Sequence, residues 1–176
     1  VLICGAYGKG NAGDDAILRA IVNEMRTIDP DMPVCVMSRR PTDTALDYRV
    51  DSIFTFDVPR MHARMRRAAV YINGGGSLIQ DITSNRSLYF YLYTLAAAKR
   101  RGASVMMYGC GIGPVVSERN RRRAAHVLNR CVDTITLRED DSRAELALMG
   151  VTHPHIAMAA DPALTLSPAA DEIIDA

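Results

Sequence analysis

The chain is 176 residues long, 48% hydrophobic and 23% charged, with 12 Gly and 8 Pro, which is ordinary for a globular domain and enough for one sizeable core. Its 21 basic and 20 acidic residues leave a formal charge of +1, so the total supplies no basic surface for a nucleic acid, and no run reaches the ~18 apolar residues of a membrane span. Cys4, Cys35, Cys110 and Cys131 stand far apart, with no CxxC and no histidine at zinc spacing; this argues against a metal site and a disulfide scaffold, and reads as buried thiols in a reducing cytoplasm.

Short apolar, β-branched runs at 1–4, 33–38, 52–56, 69–73, 103–109, 134–137 and 155–159 read as about seven strands. Between them 15–28, 59–67, 86–101, 117–131 and 139–149 read as helices, the first with Ile17, Ile21, Met25 and Ile28 at helical spacing. The alternation predicts one α/β domain over 1–176, a Rossmann-like doubly wound parallel sheet with the first strand central. Ligands of such sheets bind beyond the carboxyl ends of the strands, so the loops leaving the strands are where chemistry is to be sought.

After the first strand, GAYGKGNAGDDA crowds Gly8, Gly10 and Gly13 before a helix whose free N–H groups make a candidate anion cradle. These three also spell GxGxxG, but Gly5, Ala6 and Tyr7 intervene between strand and motif, a loop too long for the dinucleotide fingerprint. Neither Lys9 nor Lys99 completes a GK[ST] loop or a Tyr/Lys dehydrogenase pair. Asp14 and Asp15 are either favourable helix-start charges or groups that orient a sugar hydroxyl and take its proton.

In NGGGSLIQDITS, Asn73, Gly74, Gly75, Gly76 and Ser77 let a backbone approach a ligand closely, with Gln80, Asp81 and Ser84 as polar groups beyond. Ser84 also reads as a helix cap. Gly111 and Gly113, before Pro114, form a rigid strand exit or a backbone contact to ligand. Arg138 ends a strand beside Glu139, Asp140 and Asp141, where an ion pair and a ligand role both stay open. The aromatic helix at Tyr89, Phe90, Tyr91 and Tyr93 is buried or faces a subunit, leaving a homo-oligomer open. The face with Arg119, Arg121, Arg122 and Arg123 is solvated or makes a peripheral membrane contact.

Together GxxGxGNAGDDAIL, NGGGSLIQDITS, GCGIGP, ITLREDDS and the terminal ADPAL resemble the polysaccharide pyruvyl transferase family, and in particular its CsaB-like bacterial cell-wall branch. The resemblance runs from residue 1 to about residue 166. It implies the N-terminal half of an enzyme built like a GT-B glycosyltransferase, its active site in the cleft between two halves. The implied reaction moves pyruvate from phosphoenolpyruvate onto two hydroxyls of a saccharide or lipid-linked saccharide, forming a cyclic ketal without a cofactor. It would take place in the cytoplasm, at the inner face of the membrane for a lipid-linked acceptor. Asn11, Asp15, Gly75, Ser77, Asp81, Arg138 and Asp161 match family motif positions, with Asp15, Asp81 and Arg138 as the implied catalytic groups. A nucleotide-sugar glycosyltransferase of the same half-fold, and a non-catalytic binding module, are the alternatives. The four histidines, at 62, 126, 153 and 155, fall outside these loops.

Overall fold

The computed structural model describes residues 1–166; the last ten residues, which the single-domain expectation also included, lie outside the described residues. Its elements run β1 (Leu2–Cys4), α1 (Ala12–Ile28), β2 (Cys35–Ser38), α2 (Pro41–Tyr48), β3 (Asp51–Phe54), α3 (Val58–Met65) and β4 (Val70–Gly74). They continue through β5 (Ser77–Ile79), α4 (Asn85–Arg100), β6 (Ser104–Ile112), α5 (Glu118–Cys131), β7 (Thr134–Leu137), α6 (Asp140–Leu148), β8 (His155–Met158) and a short 3-10 turn (Pro162–Thr165).

The sheet order is β3-β2-β1-β4-β6-β7-β8, with β5 also on β6, and every pairing is parallel. This is the α/β, Rossmann-like sheet expected. β1 is interior rather than middle: β4 takes the middle of the path because the chain winds outward from β1 to β3, then restarts beside β1. The reversal opens a crevice between the carboxyl ends of β1 and β4, where open α/β sheets bind their ligands.

Residues of β1 alternate between two cores, as side chains of a strand must. Ile3 packs with Ile72, Val36 and the α1 residues Ile17, Leu18, Ile21 and Val22. Leu2 and Cys4 face Tyr71, Met107 and the α4 residues Leu88, Leu92 and Leu95. All of β1 and β2 is buried, which is why those strands read as continuous apolar runs. Burial pushes the Cys4 and Cys110 thiols up to about 12, leaving them inert packing groups.

Besides the short 3-10 turn, two elements were not expected. α2 follows an opening PTD with Pro41 at its start and a left-handed Arg49 at its end; turn-forming residues that favour a loop also favour a helix's first turn. β5 continues β4: Tyr71 pairs with Val105 and Gly74 with Tyr108, then Ser77 pairs with Gly111. The two are one strand line broken at Gly75 and Gly76, whose φ values of +69° and +66° only glycine adopts at little cost. β6 accordingly runs on to Ile112, past the expected end at 109.

Tyr7 accounts for the long first loop. Its side chain is buried and its hydroxyl donates to the Gly74 carbonyl at 2.7 Å, while its own carbonyl accepts from the Arg39 N–H. The residues that spoil the dinucleotide fingerprint thus tie the loops after β1, β2 and β4 together.

Candidate functional site

α1 starts where the first loop ends, with the Asn11 side chain accepting from the Gly13 N–H. This start faces the β4–β5 break across a cavity of about 430 Å³ lined by Asn11, Asp14, Ser77 and Gln80, with Lys9 and Arg138 as its cations. Gly13 and Gly76 also line it. A Cβ built on Gly76 would sit 3.1 Å from Asp14 Oδ1, so the missing side chain leaves the carboxylate uncovered.

Asp14, rather than the neighbouring Asp15, lines this cavity. One residue along a helix is a turn of about 100°, and it carries Asp15 toward α2, where its carbonyl accepts from the Tyr48 hydroxyl at 3.2 Å. Burial pushes the Asp14 carboxyl above the ordinary carboxylate value, and the Asp15 charge adds to this; Lys9, a hydrogen bond from Asn11 and the Arg138 charge pull it back without cancelling the rise. A carboxyl held up by its surroundings, in a cavity with two cations, can hold or accept a proton during a reaction.

Arg138, at the carboxyl end of β7, reaches the cavity and donates from one guanidinium nitrogen to Asp161 Oδ2 at 2.7 Å. The adjacent Glu139, Asp140 and Asp141 are not its partners: Glu139 accepts from Ser142, and the two aspartates open α6. Asp161 arrives from the loop after β8, which lies parallel beside β7. Its other oxygen caps the 3-10 turn through the Ala163 N–H, so Asp161 fixes Arg138 in place and leaves the rest of the fork free.

Asp81 has a different surrounding. Its carboxylate accepts from the Val116 and Ser117 N–H groups at 2.7 and 3.0 Å and from the Asn120 amide at 2.8 Å, joining the loop after β5 to the start of α5. Burial alone would raise its carboxyl, but these hydrogen bonds outweigh it and hold the group below the usual range. With the folded value below the unfolded value of ~3.9, the stabilisation is present at neutral pH and is lost as pH falls below about 4. Asp81→Ala is expected to cost about 1–2 kcal/mol at pH 7, as loss of a helix cap does, and less at pH 3. Urea unfolding at both pH values checks it; an equal loss at both would show that the carboxylate's charge is not what stabilises.

The other expected site residues divide between cavity and scaffold. Gln80 lines the cavity but also holds Thr83 through two hydrogen bonds. Ser84 caps α4. Cβ atoms built on Gly74 and Gly75 would lie 2.5 Å from Ile21 and Ile17, so both glycines admit α1. Asn73 is fully buried between the β1 and β6 registers at Cys4 and Met107, its amide without a partner among the described residues. Gly111 and Gly113 hold the β5–β6 pairing by donating their N–H groups to the Gly76 and Ile79 carbonyls. Gly8 packs on Ser38, and Gly10 has open space around it. Lys9, lining the cavity, drew notice in the sequence only for lacking a phosphate-loop motif.

The aromatic helix is seated on its neighbours: Tyr89 donates to Asn120 and Tyr93 bonds His62. Of the Arg-rich face, Arg121 pairs with Glu145, Arg122 with Glu118, and Arg123 stacks on Tyr89. No described helix is long and apolar enough to cross a membrane.

Fold and site together define a Rossmann-like domain whose polar crevice, holding a carboxyl and two cations, lies at the strand reversal. The family model for polysaccharide pyruvyl transferase matches residues 11–176, and the chain belongs to that family. It is also similar to the amylovoran biosynthesis protein AmsJ of Erwinia amylovora, 25% identical over 93% of this chain and 48% of that protein. The chain thus spans about half the length of this curated relative. No solved structure matches it.

Proposed function

We propose that this domain forms one half of the cleft of an enzyme that transfers a pyruvyl group from phosphoenolpyruvate to a polysaccharide precursor as a cyclic ketal. The observation that carries the reading is the raised Asp14 carboxyl in one cavity with Lys9 and Arg138, in a chain of this family.

The reaction needs a proton on the enol methylene, attack by two acceptor hydroxyls on the same carbon, and departure of phosphate. The methylene gains one proton and the phosphate the other, so the two hydroxyl protons balance the product. Asp14 is placed to pass a proton between acceptor hydroxyl and methylene. Arg138, oriented by Asp161, and Lys9 offer charge to the donor's carboxylate or phosphate. Asn11 and Ser77 supply polar contacts to the acceptor. Asp81 acts at a distance, by fixing the loop that carries Gln80. The remaining donor contacts belong to a second half.

The test is phosphate release from phosphoenolpyruvate together with a ketal-bearing glycan seen by mass spectrometry. The full-length protein is expected to give both and residues 1–176 alone almost neither, since half a cleft positions neither reactant. Full turnover by residues 1–176 alone would overturn the two-half reading, and an acceptor that gains a sugar from a nucleotide sugar would overturn pyruvyl transfer.

A further inference from the structure

Next to the candidate site is a larger cavity of about 610 Å³, sharing Lys9 and Tyr91 with it. Two further cations, Arg39 and Arg86, line it, together with Phe56 and Phe90. Among the described residues Lys9, Arg39 and Arg86 make no ion pair, and no carboxylate lines this cavity; the Asp14 carboxyl on which Lys9 acts lines the neighbouring one. The Arg39 guanidinium lies 4.1 Å from the Phe56 ring centre, and Phe56 meets Phe90 edge-on at 5.2 Å. Arg39 is thus propped on an aromatic face that leaves its donors open. Phe56 is 45% exposed, although a ring of this size gains by being covered.

Thr55 gives an independent observation. It lines the same cavity and is 5% exposed, and its Oγ1 is buried with no hydrogen-bond partner among the described residues. A buried hydroxyl left without a partner costs about 1–3 kcal/mol, a cost that a ligand oxygen would remove once the Thr55 side chain turns its hydroxyl to the cavity.

We propose that this cavity is a subsite for a sugar phosphate. Lys9, Arg39 and Arg86 hold the phosphate, Phe56 and Phe90 pack against the sugar ring, and Thr55 hydrogen-bonds the ligand. Its volume is that of a small-molecule site and far exceeds a lone phosphate; an exposed ring, Phe56, beside cations that make no ion pair suits a ligand with one anionic end and one ring. Binding stands without the pyruvyl-transfer reading. That the bound sugar offers its hydroxyls to Asp14, through the wall the two cavities share, rests on that reading.

Calorimetric titration with glucose 1-phosphate and with inorganic pyrophosphate tests the proposal, with phosphoenolpyruvate as competitor. Both probes are expected to bind saturably and to weaken at least roughly tenfold in Arg39→Ala and in Arg86→Ala, as loss of a charge-assisted bond to phosphate does. Arg119→Ala, an exposed α5 charge away from the cavity, is expected to change nothing. Thr55→Val should weaken glucose 1-phosphate binding while the thermal midpoint of the free protein stays level or rises, since the lost hydroxyl had no partner. Absence of saturable binding by the folded protein, an equal loss in Arg119→Ala, or a Thr55→Val protein that binds unchanged would overturn it. Displacement of glucose 1-phosphate by phosphoenolpyruvate would assign the cavity to the donor instead and overturn it equally. None of these readouts uses turnover, so failure here leaves the pyruvyl-transfer reading to its own test.

Discussion

Gly75→Ala is expected to lower stability by roughly 2–5 kcal/mol in urea unfolding, whereas Gly10→Ala loses only about 1–2 kcal/mol. Both glycines have left-handed backbone, with φ +69° and +74°, so both variants share the conformational cost of a side chain there. They differ in surroundings. A Cβ on Gly75 would lie 2.5 Å from Ile17 Cγ2 and 2.9 Å from its Cδ1, while a Cβ on Gly10 meets nothing within 4 Å. Ile17 is 4% exposed and sits in the core between α1 and the sheet, so it has little room to yield. Against a total stability of roughly 5–15 kcal/mol for a domain, the Gly75 loss would leave a visibly unfolded fraction. Equal midpoints for the two variants would show that α1 is not held against the strand break, and the cavity built there would go with it.

The same contact shows how far the sequence could be read. The main strands were legible because a parallel sheet covered on both faces makes its strands apolar throughout. β5 was not: three residues, Ser77–Ile79, follow a glycine run and carry no periodicity of their own. Only the β6 backbone beside them makes them a strand.

For the site, the loops were legible and the side chains within them were not. Asp14 and Asp15 each lead an apolar stripe on α1, Ile17 with Ile21 and Leu18 with Val22, so helical spacing cannot choose between them. The choice is made where Gly75 and Gly76 land on α1, a contact between residues far apart in the chain. Arg138 likewise had three acidic neighbours in sequence, yet its partner is Asp161, brought in by the parallel pairing of β7 and β8. Arg39 and Thr55 follow β2 and β3 while Arg86 lies in the first turn of α4, and no local motif relates them.

Asp14→Asn in the full-length protein is expected to lower turnover at least roughly a hundredfold, the usual contribution of a positioned acid or base, while residues 1–176 carrying the change are at least as stable as before. The sign follows from the raised carboxyl. In the folded chain Asp14 binds its proton more tightly than in the unfolded chain. Folding is therefore favoured at acidic pH, and this advantage is lost as pH rises from the unfolded value of ~3.9 through the folded one. At neutral pH the ionised carboxyl opposes folding, and Asn removes that opposition. A residue placed for packing would show the reverse, losing stability with its turnover loss explained by the unfolded fraction. Arg138→Ala adds a second readout, because Arg138 is among the charges that pull the Asp14 carboxyl down. Its loss should cut turnover at least roughly tenfold through weaker donor binding. It should also move the Asp14-dependent limb of the pH–rate profile to higher pH. If Arg138→Ala lowers turnover with that limb unmoved, the two groups do not share a site, and Asp14 would have to be read as a helix-start charge.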